Sequence, residues 1–129
     1  MPIAQKNYQE LPGLWVSIDK VEYCPEANTP RHRPHQFAYY ITIHNDSLNI
    51  VTIMGRKWIV TNNEGHRLIV EGDGVVGQFP RLVPGDQFHY NSYHLLDSTS
   101  TAEGAYLGKD EDDNPVLTKI PRFAMNIHK

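Results

Sequence analysis

The sequence predicts an all-β domain, a two-layer sandwich or a barrel, with about eight short strands. Three observations support this prediction. Apolar residues recur at every second position in short runs, turn-forming residues separate these runs, and no run keeps a helical period over three turns. A chain of 129 residues has the size of one domain with its own core.

The N-terminal residues 1–13 are largely polar and end in the breaking sequence Leu11-Pro12-Gly13. Such a segment is typical of a flexible tail, which would leave a single domain over residues 14–129. The tail also lacks the apolar stretch of a signal peptide.

The first strand begins at Leu14, because Leu14, Val16 and Ile18 alternate with other residues. The phase then slips, since the next apolar residue is Val21. One extra residue would cause this slip, so a β-bulge is predicted near Asp19-Lys20.

The later strands follow the same alternation. In order, they are predicted at Phe37–Ile43, Ile50–Val60 with an interruption at Gly55, His66–Glu71, Gln87–Leu95, Ala105–Leu107 and Val116–Ile120. Turn residues separate them at Cys24–Gln36, Asn45-Asp46-Ser47, Asn62–Gly65, Pro84-Gly85-Asp86 and Asp110–Pro115. Gly55 indicates a bulge or a close backbone approach, and Pro121 is expected to break the last ladder.

The bulk composition argues against several classes of partner. Twelve Lys and Arg against fifteen Asp and Glu give a net charge of -3, which does not fit a dedicated nucleic-acid binder. It also provides no polybasic signal for a membrane surface. The single cysteine, Cys24, is consistent with a reducing compartment. No apolar run approaches the roughly eighteen residues of a membrane span, so a cytoplasmic protein is predicted.

The glycine segment, Gly72–Gly77, matches the spacing G-x-G-x-x-G of dinucleotide-binding turns. That motif requires a helix directly after the glycines, with the phosphate at its N-terminus. Pro80 and Pro84 follow the segment and prevent a helix there. The glycines therefore serve either a turn and close packing, or a nest of N–H groups that binds an anion.

In the anion hypothesis, basic side chains near the glycine segment would add positive charge. The candidate ligand-binding residues are Gly72, Asp73, Gly74, Gly77, Arg56, Lys57, Arg67 and Arg81. Phosphate or pyrophosphate is the expected ligand type. A purely structural role of the glycines is favoured over this hypothesis, because the usual helix is missing.

The ordered set of motifs resembles the ApaG family over residues 14–127. The motifs that carry the resemblance are Phe37-Ala38-Tyr39, Gly55–Thr61, Gly72–Gly77, Pro80–Gly85, Phe88–Ser92, Gly104-Ala105-Tyr106 and Ile120–Phe123. The resemblance implies an immunoglobulin- or fibronectin-type-III-like β-sandwich of about seven to nine short antiparallel strands. It implies no established reaction, a bacterial link to cobalt and magnesium tolerance, and protein interactions of related domains.

Metal and catalytic sites find little support in the sequence. The acidic run Asp110–Asn114 begins like a calcium loop but has prolines where that loop needs glycine and glutamate, so a solvated turn is favoured. The seven histidines lack metal-ligand spacing and are interpreted as scattered surface residues. We predict no metal site, no cofactor and no catalytic residue.

Outward-facing aromatic residues are the last candidates. Alternation places Trp15 opposite the inward face of the first strand, and Tyr40 opposite that of the second. Each would be covered by a loop or exposed to a partner.

These observations favour a non-enzymatic binding module for another protein or for a phosphate-containing small molecule. Two alternatives remain: a nucleotide- or pyrophosphate-handling enzyme or regulator that uses the glycine segment, and a divalent-cation sensor. An exposed strand edge would also allow two chains to pair as a homodimer.

Overall fold

The computed structural model describes residues 7–127. Over these residues the chain forms nine strands and no helix: β1 (Gln9–Glu10), β2 (Leu14–Tyr23), β3 (His35–Asn45), β4 (Val51–Asn62), β5 (Arg67–Asp73), β6 (Arg81–Leu82), β7 (Gln87–Leu96), β8 (Ser100–Lys109) and β9 (Pro115–Met125). The predicted all-β class is therefore confirmed. This part of the chain contains no helix with the length and apolar character needed to cross a membrane.

The strands form two sheets of unequal width. The larger sheet has the order β1-β9-β8-β4-β5, with β6 paired to β4 beyond the end of β5. The smaller sheet has the order β2-β3-β7. The two sheets pack face to face, so the predicted sandwich is present rather than a closed barrel.

Inward-facing residues of both sheets form one core. Alternate residues of β3 and β4 are buried, as the period of two requires. Trp58 and Tyr106 are the largest fully buried side chains. Thr118 of β9 ties the two layers together, because its hydroxyl donates to the carbonyl of Leu14 at 3.0 Å.

Two predicted irregularities in the strands are confirmed. The register between β2 and β3 shifts between Ile18 and Lys20, which places the bulge at Asp19. The register between β4 and β8 shifts between Ile53 and Gly55. Both bulges let the strand continue while its alternation changes phase.

Two other predictions at the C-terminal end are wrong. β8 covers ten residues rather than the three at Ala105–Leu107. Pro121 does not break the last ladder: β9 runs through it, and the register between β8 and β9 shifts there instead. A bulge leaves one residue without a ladder partner, so it accommodates a residue that lacks an N–H group.

Part of the predicted tail forms structure. Residues 1–6 lie outside the described residues, but Gln9–Glu10 pairs with Val116–Leu117 in the same direction. The N–H group of Leu11 also donates to the carbonyl of Leu117 at 3.3 Å, and its side chain packs against the core. This pair is parallel, whereas only antiparallel pairs were predicted.

Among the glycines of residues 7–127, Gly104 has the least room for a side chain; it lies opposite Trp58 in the β4–β8 ladder. A Cβ atom at position 104 would lie only 1.9 Å from the carbonyl oxygen of Lys57. The central ladder therefore requires glycine here.

We predict that Gly104→Ala lowers the free energy of unfolding by about 3 kcal/mol or more, because two central strands must separate to admit the methyl group. Glu103→Ala is the matched control: its side chain is exposed, and we expect a change within about 0.5 kcal/mol. Urea unfolding followed by circular dichroism measures both variants. Equal stability of the two would contradict the close approach.

Candidate functional site

The wider sheet extends beyond the narrower one at β5, and this overhang contains the candidate site. β5 is mostly exposed on both faces, whereas alternate residues of its neighbour β4 are buried. The exposed fractions of Leu68, Ile69 and Val70 are 37%, 53% and 37%. Three consecutive apolar residues are therefore in contact with solvent on one strand.

The glycine segment lies at the end of β5 and forms a tight turn, not a helix N-terminus. Val75 and Gln78 exchange backbone hydrogen bonds at 2.8 and 2.9 Å. The two residues between them, Val76 and Gly77, have φ angles of 44° and 79°. Positive φ at both central residues is typical of a type I′ hairpin turn.

Several N–H groups in and beside this segment are already bonded to backbone carbonyls. Gly74 donates to the carbonyl of Met54 at 2.8 Å, and the N–H groups of Val75 and Gln78 are used within the turn. The carbonyl groups of Asp73 and Gly74 face Arg56, whose guanidinium donates to them at 2.9 and 3.2 Å. This arrangement presents acceptors to a cation of the protein, the reverse of an anion nest.

Gly72 has a packing role in the same arrangement. Arg56 and Gly72 are cross-strand partners, and the arginine side chain extends across the glycine to reach the two carbonyl groups. A Cβ atom at position 72 would lie 2.7 Å from the guanidinium. The glycine therefore makes room for the arginine.

The other predicted basic residues do not gather at the glycine segment. Lys57 forms an ion pair with Glu71 at 3.8 Å on the outer face. Arg81 lies in β6, opposite Thr52. Arg67 lies at the other end of β5, about 20 Å from Asp73 by the strand rise of about 3.3 Å per residue. Of the four predicted basic residues, only Arg56 forms hydrogen bonds with the glycine segment.

The β5–β6 loop, residues 74–80, holds one apolar side chain in the core and displays two others. Val75 is fully buried, which anchors the loop. Val76 is 47% exposed and Phe79 is 52% exposed. A β-branched residue at positive φ is conformationally unfavourable, by about 1–2 kcal/mol. The loop thus keeps an apolar side chain at its tip in spite of backbone strain.

An aromatic cluster lies between the sheets beside the overhang. The rings of Tyr39 and His94 stack at 4.8 Å, and Trp58 contacts both rings. Within residues 7–127, neither Nε1 of Trp58 nor Nε2 of His94 has a hydrogen-bond partner. Burial lowers the pKa of His94 to about 4, so this imidazole is neutral near pH 7. The prediction that all histidines are surface residues is wrong for His94.

Three tyrosine hydroxyl groups complete this cluster. Tyr90 and Tyr106 share a hydrogen bond between their hydroxyl groups. Burial raises the pKa of Tyr39, Tyr90 and Tyr106, and the positive charge of Arg56 opposes that rise in each. The three tyrosines are therefore neutral at neutral pH, and Arg56 is the charged group that acts on them.

A polar network that the sequence did not predict covers the outer face of the smaller sheet. Asp19 accepts hydrogen bonds from Ser17 and Thr42, and these hydroxyl groups also contact His44 and His89. The hydrogen bond from Thr42 is the main cause of a lowered Asp19 pKa. Because the carboxylate contacts hydroxyl groups and not an imidazole, the order of a Ser-His-Asp triad is not formed. The feature of the sequence that could have revealed this network is the presence of outward-facing polar residues on adjacent strands.

The predicted outward aromatic residues lie on this same face. Trp15 is 46% exposed, stacks on His44 at 3.8 Å and donates to Asp46 at 2.7 Å. Tyr40 is half-buried, with the ammonium of Lys20 5.5 Å from its ring centre. Trp15 thus faces away from the core, as predicted.

The acidic run forms a turn stabilised by its own side chains. Asp110 accepts hydrogen bonds from the backbone of Asp112 and from the backbone and side chain of Asn114. Hydrogen bonding by Asn114 is the main cause of a lowered Asp110 pKa. Among the described residues, no group of three or more His, Cys, Asp or Glu side chains is arranged to hold a metal ion.

Comparison with known proteins identifies the class of this β-sandwich. The family model for the ApaG domain (DUF525) matches residues 25–109, more than half of the chain. Protein ApaG of Vibrio cholerae is 35% identical over 118 residues, covering 91% of this chain and 93% of its own. Protein ApaG of Deinococcus radiodurans is 36% identical over 117 residues, covering 90% and 89%.

A solved structure agrees with this relationship. The crystal structure of a Bordetella pertussis protein described as ApaA superimposes with a TM-score of 0.81 at 31% identity, covering 95% of this chain and 99% of that one. The chain belongs to the ApaG family. Both the predicted resemblance and the immunoglobulin- or fibronectin-type-III-like sandwich that it implied are confirmed.

The burial of His94 makes stability depend on pH. Its pKa is near 4 in the folded protein and near 6.5 in the unfolded chain, so between these values the unfolded chain binds more protons. We therefore predict that the free energy of unfolding falls by up to about 3 kcal/mol as the pH drops from 6.5 to 4.

Urea unfolding at several pH values measures this dependence. In His94→Phe, which keeps an aromatic ring but cannot titrate, the decline between pH 6.5 and 4 should be much smaller. His32→Phe, at an exposed histidine, is the control and should follow the wild type. A wild-type decline that persists in His94→Phe would contradict the assignment.

Proposed function

We propose that this member of the ApaG family is a binding module without catalytic activity, and that its partner is a protein that contacts the β5–β6 loop. The observation that carries the proposal is the exposed pair Val76 and Phe79, presented on a loop whose Val75 is fully buried. Exposed apolar side chains held by a rigid scaffold are typical anchors of protein interfaces.

Backbone strain strengthens this proposal. Asn or Gly would fit the φ of 44° at position 76 with less strain than valine, so stability alone does not favour valine there. Strained residues persist at sites where function benefits from them. A Cβ atom at position 74 would lie 2.5 Å from the carbonyl oxygen of Gln78, so the turn that presents Phe79 requires glycine there.

The protein partner is favoured over an anion by the hydrogen bonds of the glycine segment. The N–H groups of Gly74 and Val75, and that of the adjacent Gln78, are satisfied by backbone carbonyls, and Arg56 is held by two other carbonyls. An anion would have to compete with these bonds. On this proposal, any effect on cobalt or magnesium tolerance is exerted through the partner protein, not through an ion held by this chain.

Substitution of Val76 by Asn should separate stability from binding. We predict that Val76→Asn raises the free energy of unfolding by about 1 kcal/mol, because Asn tolerates positive φ. Val83→Asn is the control for stability: this valine is 37% exposed without positive φ, so no gain is expected. Urea unfolding measures both.

Site-specific photocrosslinking tests the binding site. A photoreactive phenylalanine analogue at position 79 of the full chain should form a discrete protein adduct in extract of the source cells. The same analogue at the exposed Glu103 should not, and adding Val76→Asn to the position-79 probe should reduce the adduct at least about fivefold. Equal adducts at both positions, or no effect of Val76→Asn, would overturn the loop as the binding surface.

A titration with pyrophosphate tests the anion hypothesis directly. If the ligand is a protein and not an anion, the amide NMR signals of Gly72, Gly74 and Gly77 should show no saturable shift up to millimolar pyrophosphate, with or without magnesium. Arg56→Gln is the control, since a real anion site would lose its shifts in that variant. Saturable shifts that vanish in Arg56→Gln would replace the protein proposal with an anion site.

A further inference from the structure

We infer that this chain forms a dimer in which β5 pairs antiparallel with β5 of a second copy, across a two-fold axis at Ile69. The surface is the outer edge of β5, to which no strand among residues 7–127 is paired. This inference does not depend on the proposed function of the β5–β6 loop.

The hydrogen-bonding phase of β5 defines which groups point outward. Asn62 donates to the carbonyl of His66, and Gly74 donates to that of Met54. In an antiparallel pair, bonded residues recur at every second position. The register of the β4–β5 ladder then assigns Leu68, Val70 and Gly72 to bonds with β4.

The alternate residues have the opposite orientation. The N–H and C=O groups of Arg67, Ile69 and Glu71 point away from β4, toward the open edge. Unpaired edge groups of this kind form a template for another strand. β5 also lacks proline and a bulge over its seven residues, two devices that commonly block edge pairing.

The sequence of β5 is complementary to itself in one register. With Ile69 opposite Ile69 of the second copy, Arg67 lies opposite Glu71, and Glu71 lies opposite Arg67. The backbone N–H and C=O groups of Arg67, Ile69 and Glu71 all point toward the open edge, so the three residue pairs would form about six backbone hydrogen bonds. Opposite charges directly across a pair stabilise a sheet, whereas like charges destabilise it.

The apolar side chains match in the same register. On the outer face, the two copies of Ile69 are in contact. On the inner face, Leu68 lies opposite Val70 of the second copy, and each of these is 37% exposed in the single chain. This self-pairing covers all three exposed apolar residues of β5. We therefore assign the edge to a second copy of this chain.

The ladder has a natural end at Glu71. The carbonyl of the next outward residue, Asp73, already accepts a hydrogen bond from Arg56. The β5–β6 loop lies beyond this point and stays outside the ladder. A short ladder buries less than a standard interface, so we expect a weak dimer that forms at high micromolar concentration.

Sedimentation velocity of the full chain from 10 µM to 1 mM tests the dimer. We expect a monomer–dimer equilibrium in the wild type. Arg67→Glu and Glu71→Arg should each weaken it about tenfold, because each places like charges opposite one another twice. The double variant Arg67→Glu/Glu71→Arg should regain the wild-type constant within about threefold.

Mixing the two single variants distinguishes pairing between chains from effects within one chain. A chain with Glu at both positions should pair with a chain that has Arg at both, so the mixture should associate more tightly than either variant alone. Lys119→Glu, on exposed β9, is the matched control and should behave as the wild type. Thermal unfolding confirms that each variant is folded.

Amide exchange gives an independent test of the register. The amides of Arg67, Ile69 and Glu71 should exchange more slowly at 1 mM than at 10 µM, while those of Leu68 and Val70 stay unchanged. A wild-type monomer at every concentration overturns the inference. A dimer that the charge reversals do not weaken, or that a mixture of the two variants does not restore, overturns it as well.

Discussion

Unequal sheet width is the constraint from which the surface properties of this protein follow. Three strands of the smaller sheet cannot cover every strand of the larger one, so β5 is left with both faces in solvent. Its apolar residues then lose part of the stabilisation that burial would give, about 25 cal/mol per Å². The β5–β6 loop begins where this uncovered strand ends. Both surfaces that we associate with binding are thus a product of the same architectural mismatch.

Arg56 connects this exposed margin to the interior. Its guanidinium lies across Gly72 and binds two carbonyl groups of the turn, while its charge acts on the three tyrosines of the aromatic cluster. Hydrogen bonds from a charged donor are stronger than those between neutral groups, so one side chain can hold a loop that has no helix or disulfide to fix it. Gly72 is explained by this arginine, and Gly74 and Gly77 by the positive φ angles of the turn, without a phosphate.

Alternation of side chains made much of the fold predictable. The strand class, the bulge at Asp19 and the irregularity at Gly55 all follow from a period of two and its phase slips. The burial of His94 was not predictable, because it depends on how far the second sheet extends over the first. Likewise, Arg67 is near the glycine segment in sequence but at the opposite end of β5, since an extended strand separates its ends. Pro121 was misleading because a bulge in β9 removes the need for its missing donor.

The parallel pairing of β1 with β9 has a consequence for how the chain folds. Gln9 pairs with Val116, so the edge of the larger sheet is completed by segments from opposite ends of the described chain. Contacts between residues so distant in sequence require a large loop to close, which slows folding. During synthesis, β1 emerges long before its partner, and β9 has an open edge until β1 docks. The last step of folding would therefore be the one that protects the molecule from pairing wrongly at that edge.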